Sequence, residues 1–193
     1  MAFLGGKKKE AKSTKISSAT IITSCMEVTG NLKGTDTVHI DGKVTGDISV
    51  DNTLVIGKSG IVIGDVKAKN AIINGELQGS ITCDTLEVMQ TGKLSKEVQA
   101  KNLIIDGHVE GNIVGDETIT ILENGILKVS GLHGKTIKVN GTVDGKVTAT
   151  ELLEIENKGS VKGEISVKNI KTAEGGKMVG SMSTYEQPKT KKK

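Results

Sequence analysis

A glycine-spaced pattern repeats nine times between Gly30 and Met182, and a repeat this short restricts the chain to architectures built by stacking. Aligned on the first glycine, the copies read GNLKG (30–34), GKVTGDI (42–48), GIVIGDV (60–66), GELQGSI (75–81), GKLSKEV (92–98), GHVEGNI (107–113), GTVDGKV (141–147), GSVKGEI (159–165) and GKMVGSM (176–182). A weaker copy, GILKVSG (125–131), fills the gap. Units of this size cannot bury an apolar face alone and must lie against their neighbours.

From Gly42 the starts fall 18, 15, 17, 15, 18, 16, 18 and 17 residues apart. The long and short intervals have a local cause. An apolar pair precedes each glycine, with one turn residue between them at Asp41, Asn74, Asp106 and Asn140, and three after Ile56, Val88, Ile121 and Ile155. Adjacent units therefore turn one corner differently. Within a unit the apolar residues alternate, as in Val44, Ile48 and Val50, which is the period of a strand with one buried face. Asn-Gly and Asp-Gly pairs favour the tight corners. Three short strands and three corners in about seventeen residues describe one coil of a three-faced parallel β-helix, and about nine coils would form a rod on the order of 40 Å long.

Composition agrees with an all-β solenoid. Phe3 and Tyr185 lie outside the repeats, so Val, Ile and Leu must fill the interior, and the single proline is Pro188. A repeat region without proline keeps its backbone donors for the ladder between coils. Cys83 falls in a column of small inward residues with Val50, Ala68, Ala100 and Ala149, where it reads as a buried thiol; Cys25 lies in the less regular opening segment. The spacing of the two cysteines fits no zinc pattern, and without a secretory leader a reducing cytoplasm is the expected compartment. No apolar run is long enough to span a membrane as a helix.

Catalytic constellations are not evident. Gly134-Lys135-Thr136 resembles the end of a phosphate-binding loop, but Val129 stands where that loop needs its first glycine. His39, His108 and His133 fall in different coils with no shared column and no assignable nucleophile. The aspartates sit in corners (Asp41, Asp106) or after second glycines (Asp47, Asp65), where turn formation explains them. Neither hexapeptide nor calcium-binding nonapeptide periodicity is sustained. A basic face with arginine and stacking rings, expected for nucleic-acid binding, is missing from a chain that has no arginine. The expectation is a non-enzyme with no cofactor, no metal and no nucleic-acid partner.

The two ends differ from the repeats. Residues 1–15 carry +4 and residues 186–193 carry +3; the whole chain carries +3, which leaves −4 for residues 16–185. Both tails are expected to be disordered and basic, flanking one β-helix over residues 16–185. In MAFLGGKKK, Phe3 and Leu4 can enter acyl chains while Lys7, Lys8 and Lys9 attract an anionic leaflet, which makes this segment a candidate membrane anchor. Ala2 excludes myristoylation.

Together these features resemble the bactofilins: the lysine-flanked hydrophobic start, the segment TIITSCMEVTGNLKG (20–34), HIDGKVTGDI (39–48) echoed as IIDGHVEGNI (104–113), and the lysine-ended tail. The resemblance covers almost the whole chain. It implies a right-handed β-helix that polymerises end to end, without nucleotide, into nonpolar filaments at the cytoplasmic face of the membrane, where they scaffold cell-wall or cell-shape enzymes. Many family members place a phenylalanine near the C-terminal end of the rod, where this chain offers Met178, Val179 and Met182.

Elementary physics points the same way. A β-helix ends in unpaired backbone groups above an exposed apolar cross-section, and no amphipathic helix is evident at either end to cap it. The candidate polymer interface comprises Ile21, Ile22, Val28 and Leu32 at one end and Val167, Ile170, Met178, Val179 and Met182 at the other. Two other readings stay open at this point: a monomeric solenoid that acts as a binding module, and a divergent sugar-active enzyme using paired corner aspartates.

Overall fold

The computed structural model describes residues 19–186, and every regular element among them is a β-strand. The first half is built of short strands: β1 (Ala19–Ile22), β2 (Glu27–Thr29), β3 (Leu32–Gly34), β4 (Thr37–Ile40), β5 (Lys43–Thr45), β6 (Ile48–Ile56), β7 (Ile61–Ile63), β8 (Val66–Ile73), β9 (Glu76–Gln78) and β10 (Ile81–Val88). The second half has longer strands: β11 (Lys93–Ile105), β12 (His108–Ile121), β13 (Ile126–Val139), β14 (Thr142–Ile155), β15 (Ser160–Thr172) and β16 (Lys177–Thr184). Each pairs in parallel with the corresponding strand one coil away, from β1 on β4 to β15 on β16.

The register resolves into columns on three faces. On the first face Val28, Val44, Val62, Leu77, Leu94, Val109, Leu127, Val143, Val161 and Met178 stack inward. The second face stacks Leu32, Ile48, Val66, Ile81, Val98, Ile113, Leu132, Val147, Ile165 and Met182. The third carries a pair per coil, starting at Thr20 and Ile22 and ending at Ile170 and Thr172. Each column holds ten residues, so the solenoid has ten coils where nine full copies of the pattern were read; the weak copy at 125–131 is a complete coil. The core is aliphatic, and no polar or charged residue is buried among the described residues.

Backbone crowding explains the glycine spacing. A Cβ on Gly75 would lie 2.3 Å from the carbonyl oxygens of Gly57 and Gly60 in the coil beneath, so only a hydrogen fits. Second glycines such as Gly64 hold a positive φ, +147° there, that L-residues rarely adopt. The two corner types also appear as expected. At the short corner the Asp41 and Gly42 amides both donate to the Ile22 carbonyl, at 2.8 and 3.2 Å; at the long one Gly60 N–H donates to Gly57 O at 2.9 Å. Short and long corners alternate up the rod until two long ones, 156–158 and 173–175, come in succession at the C-terminal end.

Two local alignments differ from the sequence reading. Val28 pairs with Val44 and Leu32 with Ile48, so Gly30 is a second glycine and Met26 stands in the first-glycine place. In the weak coil Val129 pairs with Gly111 and Leu132 with Ile113, so Leu132, not Gly131, fills the inward position. Ser130 is an inserted residue and forms a bulge, its hydroxyl donating to Gly111 O at 3.2 Å.

Candidate functional site: the ends of the rod

The solenoid presents two terminal coils. Among the described residues, β1, β2 and β3 edge the N-terminal coil, while β16 and the last residues of β15 edge the C-terminal one. Among the described residues, each edge leaves backbone donors and acceptors without a ladder partner.

Strand parity sorts the candidate interface residues. At the C-terminal end Met178 and Met182 continue the inward columns, yet they are 40% and 56% exposed because no coil covers them. Ile170 likewise ends its column partly bare. Val167 is buried, with Thr184 as its neighbour in the last coil. Val179, 60% exposed, pairs with Lys162 on the outer surface and lies beside the cross-section. At the other end Ile22 is buried and Val28 and Leu32 are half-buried, while Ile21, 61% exposed, pairs with His39 on the outside. Among the described residues, the apolar column ends are thus barer at the C-terminal end. Phe3, Leu4, Lys7, Lys8 and Lys9 lie outside the described residues.

Cross-coil polar contacts tie neighbouring coils together along the rod, and the sequence reading missed them. Asn31 and Asp47 each accept, through Oδ1, the amide of Asp47 and Asp65 one coil on, at 2.9 and 3.0 Å, and Asp65 accepts from Ser80 N–H at 3.0 Å. Ion pairs repeat the theme outside the rod: Glu27–Lys43 at 2.7 Å, Asp84–Lys101 at 2.8 Å, and Glu154 between Lys138 at 3.7 Å and Lys171 at 2.6 Å. The hydrogen bond from Lys101 holds the Asp84 carboxyl below the usual carboxylate range and raises Lys101 in turn; Lys171 does the same to Glu154. Pairs as exposed as these contribute little to stability, because solvent screens them. Their value here is register, since one corner alternates in sign from coil to coil: Lys69, Asp84, Lys101, Asp116 with Glu117, Lys135, Glu151, Lys168. A spacing of about seventeen residues between charges of like column would have revealed it.

Residues weighed for catalysis do not converge. His39, His108 and His133 lie on three different faces. Gly134 and Thr136 lie within β13, with no helix after them among the described residues. Among the described residues no group of three His, Cys, Asp or Glu could hold a metal, and no helix is long and apolar enough to cross a membrane. Burial pushes the Cys83 thiol up to about 12.

Comparison with known proteins bears on what such ends are for. Residues 20–106 and 99–183 match the Bactofilin family, described as polymer-forming cytoskeletal. The chain is similar to Bactofilin BacP of Myxococcus xanthus (strain DK1622), 30% identical over 73 residues, which cover 38% of this chain and 30% of that protein. It is also similar to Bactofilin BacO of the same organism, 32% identical over 68 residues, covering 35% of this chain and 54% of that one. The matched segments thus span about a third and about half of these relatives. No solved structure matches significantly. Two family matches that together run from the first described coil to the last, on a ten-coil parallel β-solenoid, place this chain in the bactofilin family of polymer-forming cytoskeletal proteins.

Proposed function

We propose that this protein is a scaffold subunit whose rods join end to end, without nucleotide, into filaments held at the cytoplasmic face of the membrane. Such filaments would organise cell-wall or cell-shape enzymes there. The observation that carries the reading is the terminal coil of β16, where Met178 and Met182 complete inward columns with no further coil above them among the described residues. Stacking a second rod on that coil removes apolar surface from water and supplies partners to an unpaired edge at the same time. Nucleotide has no role in this assembly, because its driving force is the bare coil itself.

Membrane attachment is assigned to Phe3, Leu4, Lys7, Lys8 and Lys9. The described rod carries 17 lysines against 22 acidic residues, a net −5, so its own field opposes an anionic leaflet. The test is flotation with anionic vesicles through a density gradient, with no ATP or GTP present. Full-length protein should float with the vesicles; a chain lacking residues 2–9 should stay off them yet still pellet alone as filaments. Vesicle binding that survives the deletion would remove the N-terminal segment from the anchor.

A further inference from the structure

The third face of the solenoid carries an outward column whose two halves differ in chemistry. Coil by coil it reads Ile21, His39, Val55, Ile72, Glu87, Ile104, then Thr120, Lys138, Glu154 and Lys171. The last three form an ion-paired ladder. The first six place β-branched residues on an outer surface, Ile21 and Ile104 exposed and Val55 and Ile72 half-exposed, beside a column of small uncharged residues running Ala19, Thr37, Thr53, Asn70, Thr85, Asn102.

We infer that this half-face pairs side by side with the same half-face of a second copy, the two rods antiparallel about a two-fold axis between the third and fourth coils. The axis runs along the strands, so each column meets its own copy in reverse order. Val55 then faces Ile72 at the centre, His39 faces Glu87, and Ile21 faces Ile104 at the rim. Thr53 meets Asn70 and Thr37 meets Thr85 alongside. Every apolar residue meets an apolar one, and the Glu87 carboxylate meets the His39 imidazole, whose Nε2 also lies 3.0 Å from Asp41 Oδ2 of its own rod. Sliding the partner by one coil sets Glu87 against Ile21 or Val55, and a parallel in-register pairing sets Glu87 against itself. Of these registers, the proposed one alone keeps Glu87 off an apolar residue and off a second Glu87. The charged ladder of Lys138, Glu154 and Lys171 lies beyond the overlap.

Six coils about 4.8 Å apart and roughly four residues of strand width give on the order of 400 Å² per partner, about half a standard interface. Isolated rods pair weakly through such a patch. Where rods are joined end to end, the patch recurs along each filament and the contact becomes firm. The pairing itself does not require the end joint, so the two readings fail separately.

Cross-linking decides it. In full-length protein with Cys25→Ser and Cys83→Ala, Ile21→Cys and Ile104→Cys are treated with a short bis-maleimide and the linked peptides are identified. The pairing yields a 21–104 link between chains. Within one rod these positions lie about five coil spacings apart, roughly 24 Å, beyond such a linker. Ile104→Cys alone should give no 104–104 link. Glu87→Lys should cut the 21–104 yield roughly tenfold, and His39→Glu with Glu87→Lys should restore it. The same reagents applied to Met182→Arg rods at high concentration test the contact without filaments. A 104–104 link, or no 21–104 link in either form, would overturn the proposal.

Discussion

The second-glycine column shows how far a single residue can depart from the repeat. Lys96 occupies it with φ +96°, the one non-glycine residue with positive φ among the described residues. That conformation costs a side chain on the order of 1–2 kcal/mol. Lys96→Gly should relieve it and raise Tm by about 2–4 °C at fixed scan rate. Val129 stands in the same column without positive φ and with its side chain buried, so Val129→Gly should lower Tm instead. Equal effects of the two would show that the column imposes no strain. Cys83 behaves as its column suggested, small and inward. Its thiol, raised from 9.0 to about 12, stays neutral in the fold. Its contribution to stability is therefore full below pH 9 and lost as pH climbs toward 12. Native protein at pH 8 should take one iodoacetamide per chain, on exposed Cys25, and two after unfolding; rapid labelling of Cys83 in the folded rod would contradict the burial.

At the scale of the element, strand parity governs what the sequence could reveal. Alternation of Val, Ile and Leu gave the strands, their buried faces and both corner types. It could not place the first coil, because aligning Gly30 with Gly42 instead of Gly46 shifts the chain by four residues. An even shift leaves every inward residue inward, and hydrophobicity is blind to it. Parity would have separated Met178 and Met182 from outward Val179, and Ile22 from Ile21, where hydrophobicity alone grouped them. The insertion at Ser130 was legible as an irregularity but not as one extra residue. Deleting Ser130 should restore regular pairing and leave Tm within a few degrees, whereas deleting Lys146, in the regular strand β14, inverts the parity of the residues downstream of it. Loss of several kcal/mol or of soluble protein is expected there. Comparable damage from both deletions would mean that Ser130 is not the inserted residue.

For the whole molecule, aliphatic columns on three faces supply cohesion, while corner charges and the Asn31–Asp47–Asp65 ladder set register. Among the described residues, the result is a rod whose C-terminal column ends are more exposed than its N-terminal ones. End-to-end joining predicts filaments in which every strand lies across the filament axis, because the coils of one rod continue the stack of the next. Electron microscopy with diffraction from filaments grown without nucleotide measures this directly. The account predicts unbranched filaments with an axial reflection at about 4.8 Å, and rods that remain folded but unjoined in Met182→Arg, where a charge would be buried at the joint. A reflection at about 4.8 Å perpendicular to the filament axis, or intact filaments in that variant with unchanged circular dichroism, would contradict it.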